Sequence, residues 1–288
     1  MHRKLAALAL AATSIGAVAT ISPASQAAKA ETEPLAYVAL GDSYSAASGV
    51  LPADPTSPFC LRSTRNYPNV IAQKTGADLT DVSCGAAETN DFFTAQYPNV
   101  PPQLDALKPD TQLVTMTIGG NDSGVFINTV LSCGIEGTLT LGQGSPCKKK
   151  YGDSFENTIR NKTYPDLVKA LAAVHQRSPD AEVAILGYPW ITPPKKGCFD
   201  KMPIATGDVP YVHQIQRTLN DAVRRAAAAT GTTYVDMNKV SEGHDACKPI
   251  GVRWIEPVTQ GTNPVVVHPN ALGEAQMAAQ AMRVLGLS

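Results

Sequence analysis

Short apolar runs alternate with longer amphipathic segments along most of this chain. The short runs are rich in aliphatic and β-branched residues and predict strands over residues 37–40, 77–82, 113–118, 183–186 and 233–235. Apolar residues recur at helical spacing between these runs, which predicts helices over residues 67–74, 124–131, 164–176, 212–229 and 271–285. Such alternation is typical of an α/β domain, in which a parallel sheet of about five strands carries helices on both faces.

Two stretches interrupt this pattern. Residues 133–152 are rich in Gly, Ser and Lys, and residues 189–210 are rich in proline, which cannot continue a helix or a central strand. We predict that both stretches are irregular surface excursions held by their cysteines. The sequence has no internal repeat and no interdomain linker, so residues 31–288 are expected to fold as one domain.

The N-terminus has the pattern of a secretory signal peptide. Arg3 and Lys4 precede an apolar run over residues 5–21, and Ala28-Lys29-Ala30 provides the small residues that signal peptidase recognises. A membrane anchor is the alternative, but Ala, Thr, Ser and Gly dilute the run. We therefore predict that residues 1–30 are removed and the protein is secreted, although cleavage after Ala27 fits nearly as well. Because no second long apolar stretch follows, we expect no stable membrane span.

Charge and cysteine content narrow the partners and the compartment. The formal net charge is −1 and the only basic tract is Lys148–Lys150, so neither nucleic acid nor an anionic membrane surface is expected as a partner. An even number of cysteines in an exported chain predicts disulfides, and zinc is disfavoured because no Cys-x-x-Cys pair occurs. Many pairings are possible, but neighbours along the chain suggest Cys60–Cys84, Cys133–Cys147 and Cys198–Cys247.

The strongest chemical signal is Gly41-Asp42-Ser43, directly after the first predicted strand. A serine at a strand-to-helix turn lies at the carboxyl edge of the sheet, where the N–H groups of the helix N-terminus can hold an anion. Ser43 is therefore a candidate nucleophile. The alternative is a simple helix cap, because Asp and Ser are both favoured at that position. We expect Asp42 to fix the turn through hydrogen bonds and not to exchange protons with a substrate.

Two further motifs follow strands that end at the same edge. Gly85 comes after the second strand, and Gly119-Gly120-Asn121-Asp122 comes after the third. The N–H groups of Ser43 and Gly85 and the side-chain amide of Asn121 would make three donors for a tetrahedral oxyanion. The alternative for the third motif is an ordinary turn.

A serine hydroxyl also needs a base that takes its proton. Beyond the leader, the candidates are His175, His213, His244 and His268. His175 lies within a predicted helix and His213 begins another, and His244 belongs to the region of the last cysteine loop. His268 follows the apolar run 265–267 and leads into the last helix, so we predict that His268 is the base.

These motifs occur in the order of the four blocks of the SGNH, or GDSL, hydrolase family, and the chain resembles that family over essentially the whole mature sequence. The cysteine layout is similar to that of its secreted streptomycete lipase and esterase branch. The resemblance implies a flavodoxin-like three-layer α/β/α fold and hydrolysis of acyl esters without a metal or other cofactor. It also implies Ser43 and His268 as catalytic residues, with oxyanion donors from Ser43, Gly85 and Asn121.

One position departs from the family pattern. The family usually has Asp-x-x-His, in which the carboxylate orients the imidazole, but Val265 occupies that position here. Because the third group needs only to accept from the ring N–H, a backbone carbonyl can replace it. We predict that the carbonyl oxygen of Val265 is the acceptor, with Glu256 and Asp245 as distant alternatives.

The sequence therefore predicts a monomeric, secreted esterase or lipase that forms an acyl-enzyme with fatty acyl esters. A phospholipase A or a carbohydrate acetylesterase of the same fold, and an inactive lipid- or carbohydrate-binding protein, are the alternatives. The α/β-hydrolases are disfavoured because their Gly-x-Ser-x-Gly elbow is missing from the sequence. Apolar residues that could line an acyl channel, or equally be ordinary core, are residues 50–59, Phe92, Phe93, Val125, Phe126 and residues 189–191.

Overall fold

The computed structural model describes residues 33–287, and from Pro34 onward these residues form one compact unit. Five parallel strands form one sheet with the order β2-β1-β3-β4-β5. They are β1 (Ala36–Ala39), β2 (Asp78–Asp81), β3 (Leu113–Met116), β4 (Glu182–Leu186) and β5 (Thr233–Val235). The flavodoxin-like order and the five strands confirm the predicted fold class.

Helices cover both faces of this sheet, with α2 packed against α8 and α6 packed against α7. The helices are α1 (Ser43–Ala46), α2 (Tyr67–Thr75), α3 (Val125–Leu139), α4 (Pro146–Tyr151), α5 (Ser154–Thr158), α6 (Tyr164–Arg177), α7 (Val209–Thr230) and α8 (Ala271–Leu285). The central strand β3 is buried along its whole length, whereas the edge strand β2 is partly exposed. Central strands are therefore continuous apolar runs, as expected for a parallel sheet covered on both faces.

The prediction of irregular structure for residues 133–152 is wrong. Helix α3 continues to Leu139, and α4 forms a second helix within the stretch. One of the glycines that suggested a loop, Gly137, is instead required by packing, because a Cβ there would lie 2.2 Å from the carbonyl oxygen of Pro203. Close approach of helix and loop thus outweighs the low helix propensity of glycine. The proline-rich stretch is irregular up to the start of α7, as predicted.

The structure joins the cysteines as Cys60–Cys84, Cys133–Cys147 and Cys198–Cys247. The second bond ties α3 to α4, and the third ties the proline-rich stretch to the segment between β5 and α8. The predicted signal peptide, residues 1–30, lies outside the described residues. Between residues 33 and 287, none of the helices combines the length and apolar character that crossing a bilayer requires.

Candidate active site

The turn between β1 and α1 holds Ser43 at the carboxyl edge of the sheet. Gly41 has a φ of 117°, and a Cβ there would lie 2.3 Å from the carbonyl oxygen of Thr117, so only glycine fits. The N–H of Asp42 donates to the same carbonyl at 2.8 Å. The chain after β1 is therefore held directly against the chain after β3, and Ser43 follows at the first turn of α1.

A buried hydrogen-bond network surrounds the carboxylate of Asp42. Its Oδ1 accepts from the N–H of Tyr44 at 3.0 Å and from the hydroxyl of Thr117 at 2.7 Å. Its Oδ2 accepts from the hydroxyl of Tyr188, whose oxygen accepts from the N–H of Gly120 at 2.9 Å. Burial raises the pKa of Asp42 to about 6. The carboxylate thus joins the turns after β1 and β3.

The imidazole of His268 lies against the hydroxyl of Ser43. Its Nε2 is 2.7 Å from the Oγ of Ser43, and its Nδ1 is 2.8 Å from the carbonyl oxygen of Val266. The carbonyl can only accept, so Nδ1 carries the proton and Nε2 presents a lone pair to the hydroxyl. Burial lowers the pKa of His268 below its usual value. The ring is therefore neutral at neutral pH and can accept the serine proton.

The predicted acceptor, Val265, is wrong by one residue. Val267 has a φ of 60°, in the left-handed region, and this reverses the chain so that the carbonyl of Val266 points at the imidazole of His268. The preceding residue, Val265, is bonded through its N–H, which donates to the side chain of Asn263 at 2.9 Å. A valine with a left-handed φ is uncommon, so a prediction that assumed an extended backbone at position 267 could not identify the correct carbonyl.

Neither carboxylate considered from the sequence contacts the ring. Glu256 forms a buried ion pair with Arg253 at 2.7 Å, and Asp245 accepts from the N–H of Cys247 at 3.0 Å. The bonds of Nδ1 and Nε2 therefore go to one main-chain carbonyl and one hydroxyl.

The loop that carries His268 is bonded mainly through its own backbone. The N–H of Val267 donates to the carbonyl of Glu256, and the N–H of Glu256 donates to the carbonyl of His268, both at 2.9 Å. Glu256, whose backbone takes part in both of these bonds, also forms the buried ion pair with Arg253. Besides the bond between His268 and Ser43, the hydroxyl of Tyr44 joins the serine turn to this loop, since it donates to the carbonyl of Val267 at 2.8 Å.

The prediction that Gly85 provides an oxyanion donor is also wrong. Its N–H donates to the carbonyl of Cys60 at 2.8 Å, and a Cβ there would lie 2.9 Å from the same oxygen. Gly85 is thus required for close approach to the disulfide segment. Next in the chain, Ala86 has a φ of 63°, and its N–H makes none of the hydrogen bonds found among residues 33–287.

The other two predicted donors are open. The N–H of Ser43 has no hydrogen-bond partner in the part of the chain that the structure describes. The side-chain amide of Asn121 donates one hydrogen to the carbonyl of Ala87 at 3.1 Å, which orients the amide and leaves its second hydrogen available. Since Ala87 belongs to the turn that follows β2, this bond brings the turns after β2 and β3 together.

An apolar groove of about 360 Å³ begins at His268. Helix α3 forms one wall, and the histidine loop and the proline-rich stretch form the other. Of the residues predicted to line an acyl channel, Phe126 lines this groove, whereas Val125 and Ile191 line a small adjoining cavity. The other lining residues are Val130, Leu131, Gly134, Ile135, Thr138, Leu139, Pro203, Val258, Val266 and Val267.

Most of this wall was not anticipated because the predicted helix ended at residue 131. Leu131, Ile135 and Leu139 recur every four residues, close to the helical period, and this spacing continues through the glycines and is the signal that could have found the wall.

Comparison with known proteins places the chain in a family. Residues 39–276 match the GDSL-like Lipase/Acylhydrolase family. Lipase 2 of Streptomyces coelicolor is 58% identical over 288 residues, covering 99% of this chain and 98% of that protein.

Two solved structures share the fold over 87% of this chain and 97% of each matched chain. They are an extracellular lipase from Streptomyces rimosus (TM-score 0.72, 30% identity) and phospholipase A1 from Streptomyces albidoflavus (TM-score 0.71, 28% identity). With a family match over most of its length, the chain belongs to the GDSL-like lipase and acylhydrolase family and is an ester hydrolase.

Proposed function

We propose that Ser43 and His268 act as a catalytic dyad that hydrolyses fatty acyl esters through an acyl-enzyme. The observation that carries this proposal is the chain of two hydrogen bonds from Ser43 Oγ through His268 to the carbonyl of Val266. His268 takes the serine proton as Oγ attacks the ester carbonyl, and it then protonates the leaving alcohol. Water attacks the acyl-enzyme through the same base, which releases the acid and restores the serine. The Val266 carbonyl fixes the tautomer and stabilises the imidazolium.

The oxyanion is held by the N–H groups of Ser43 and Ala86 and by the amide of Asn121. Ala86 replaces Gly85 in this assignment because the Gly85 N–H is already bonded, while the Ala86 N–H belongs to the same turn. The contact of Asn121 with Ala87 supports the grouping, since it joins that turn to the Asn121 amide. Loss of one such donor typically costs about 3 kcal/mol of barrier.

The groove beside His268 favours an extended acyl chain as substrate. Its lining is almost wholly aliphatic and aromatic, and its volume of about 360 Å³ far exceeds what an acetyl group fills. This favours fatty acyl esters over acetylated carbohydrates. Phospholipids are the second candidate, because the similar structure from Streptomyces albidoflavus is a phospholipase A1 and a phospholipid carries the same acyl chains. Turnover of nitrophenyl esters from acetyl to palmitoyl, beside phosphatidylcholine, separates these substrates.

The dyad is tested by replacing its members one at a time. Ser43→Ala and His268→Ala should each lower kcat/KM for a soluble nitrophenyl ester by at least about 10³-fold, because the two groups act as a unit. His244→Ala is the matched control, since the Nδ1 of His244 also lies against a carbonyl, that of Val252 at 2.6 Å. An organophosphonate should label Ser43 stoichiometrically. Near-normal turnover in either variant, or no labelling of Ser43, would exclude the dyad.

Export completes the proposal. The three disulfides and the extracellular lipase from Streptomyces rimosus support secretion, with residues 1–30 removed and residues 31–288 acting as a monomeric enzyme. N-terminal sequencing of the protein from culture medium and its mass in solution test these three statements together.

A further inference from the structure

The outer face of α3 carries an exposed apolar stripe. Leu131, Ile135 and Leu139 are 54%, 58% and 74% exposed. Their spacing of four residues places them in one row along the helix. Soluble proteins rarely leave a contiguous apolar row uncovered, so this face is suited to contact with an apolar partner.

The stripe continues beyond the end of the helix. Leu141 is 81% exposed, and its N–H bonds the carbonyl of Thr138 in the last turn of α3. Phe199, which is 39% exposed, packs over Gly142 and extends the surface onto the proline-rich stretch. We call Leu131, Ile135, Leu139, Leu141 and Phe199 together the apolar crest.

The charges carried by α3 and α4 are either neutralised or positive, whereas Asp200, next to Phe199 on the proline-rich stretch, is an exposed carboxylate. Glu136 is the only charged residue of α3, and it pairs with Lys150 of α4. Lys148 and Lys149 are exposed on α4, and neither has an ion pair within residues 33–287. The Cys133–Cys147 disulfide holds these lysines beside α3. This basic tract, which was too short for the sequence to predict an anionic membrane surface as a partner, therefore flanks an apolar surface.

The crest is continuous with the groove. Three of its members, Leu131, Ile135 and Leu139, also line the groove that reaches His268. A second copy of the chain seated on the crest would cover the groove entrance, whereas a lipid layer would supply acyl chains to it. Exposed aliphatic groups flanked by lysines also match the chemistry of an interface between acyl chains and phosphate headgroups.

We propose that the apolar crest docks this enzyme on a lipid surface, with its apolar side chains inserted among acyl chains and Lys148 and Lys149 facing anionic headgroups. The groove then opens directly onto the layer that contains the substrate. This inference rests on the proposed function, because the orientation matters only if His268 and Ser43 act on acyl esters.

The test measures vesicle binding by a Ser43→Ala parent, which leaves the lipid intact. The parent should co-sediment with phosphatidylcholine vesicles, and adding Leu141→Asn and Phe199→Ser should weaken binding at least about tenfold. Asn suits position 141 because it tolerates the left-handed φ of 50° found there. Ile250→Asn with Val284→Ser, at positions 69% and 37% exposed, is the control and should bind as the parent does.

Charge and activity give two further readouts. Adding phosphatidylglycerol should tighten binding of the parent, and Lys148→Gln with Lys149→Gln should remove about fivefold of that gain per lysine. With Ser43 present, the Leu141 and Phe199 variant should hydrolyse soluble nitrophenyl acetate normally, since neither residue lines the groove, but should hydrolyse vesicle-bound esters more slowly.

Equal vesicle binding by the crest and control variants would overturn the proposal. So would a parent that ignores vesicles and forms dimers that the crest variant dissociates, because a second copy would then be the partner. No nitrophenyl ester turnover by the wild-type protein would instead refute the proposed function, while leaving the binding result interpretable.

Discussion

The serine side and the histidine side of the site are built in different ways. Ser43 lies in the first turn of α1, directly after β1, and this turn is fixed by buried side chains that bond Asp42. His268 lies in the segment from residue 236 to residue 270, which has no helix or strand. There, backbone bonds and one buried ion pair replace regular structure.

The contrast shows that one site combines a serine held by the sheet with a histidine held by local contacts within a loop. The sheet determines the position of the nucleophile, because Ser43 directly follows β1, and β1 and β3 are buried. The base depends on local contacts that few residues supply, so single substitutions should displace it more easily. The following predictions test that difference, from the largest expected effect to the smallest.

Removing the cation of the buried pair should damage the histidine side most. Arg253→Met leaves Glu256 buried without its partner, which should lower the free energy of unfolding by about 3–5 kcal/mol. The histidine loop should then no longer hold His268 against Ser43, so kcat/KM for a soluble ester should also fall. Chemical denaturation and ester kinetics measure the two effects. Replacing both partners with methionine should restore part of the stability. If Arg253→Met is as stable as the wild type, the ion pair does not hold the histidine loop.

On the serine side, Asp42→Asn should be less costly. The amide keeps one acceptor for Thr117 and the N–H of Tyr44 but loses the charged acceptor that Tyr188 bonds, for a loss of about 2 kcal/mol in unfolding free energy. Gly120 is bonded to Tyr188, so the neighbouring donor turn should shift and lower kcat more than it raises KM. A variant with normal kcat would show that the sheet alone fixes the turn.

A second bond between the two halves, beside that of Ser43 and His268, can be cut separately. Tyr44→Phe leaves the ring beside His268 but removes the hydroxyl that donates to the Val267 carbonyl, at a cost of about 1 kcal/mol. We expect kcat to fall about tenfold with KM little changed, since a change of about 1.4 kcal/mol in the barrier is a factor of ten. Tyr67→Phe is the control, because its hydroxyl bonds Ser45 and not the histidine loop. Equal losses in both variants would indicate a general effect on packing.

The smallest effect should be a shift in the pH profile. Catalysis needs the neutral imidazole, and burial holds the pKa of His268 below its usual value. The decline of activity on the acid side should therefore have its midpoint below pH 6.5. Phe126 packs edge-on toward the imidazole, so Phe126→Ala should admit water and move the decline to higher pH. An unchanged profile in that variant would show that other groups set the pKa.

Much of this molecule could be predicted from sequence where local pattern and burial agree. The strands and the larger helices follow from the apolar pattern. Ser43, Asn121 and His268 could be identified because each comes after a predicted strand or an apolar run. The errors lie where backbone contacts decide the outcome. Gly85 and Gly137 are required by carbonyl groups of distant residues, which the chain brings near only after folding. The left-handed Val267 moved the acceptor from residue 265 to 266, and no side-chain pattern signals that change.

The main-chain acceptor at position 266 also bears on how this enzyme can vary among species. Because every amino acid contributes the same carbonyl group, a substitution at position 266 would leave the hydrogen bond to His268 intact, although it would change the lining of the groove. Position 267 should be constrained instead, since its conformation aims that carbonyl. Sequence profiles that score a site by its invariant side chains would overlook the third member of this one.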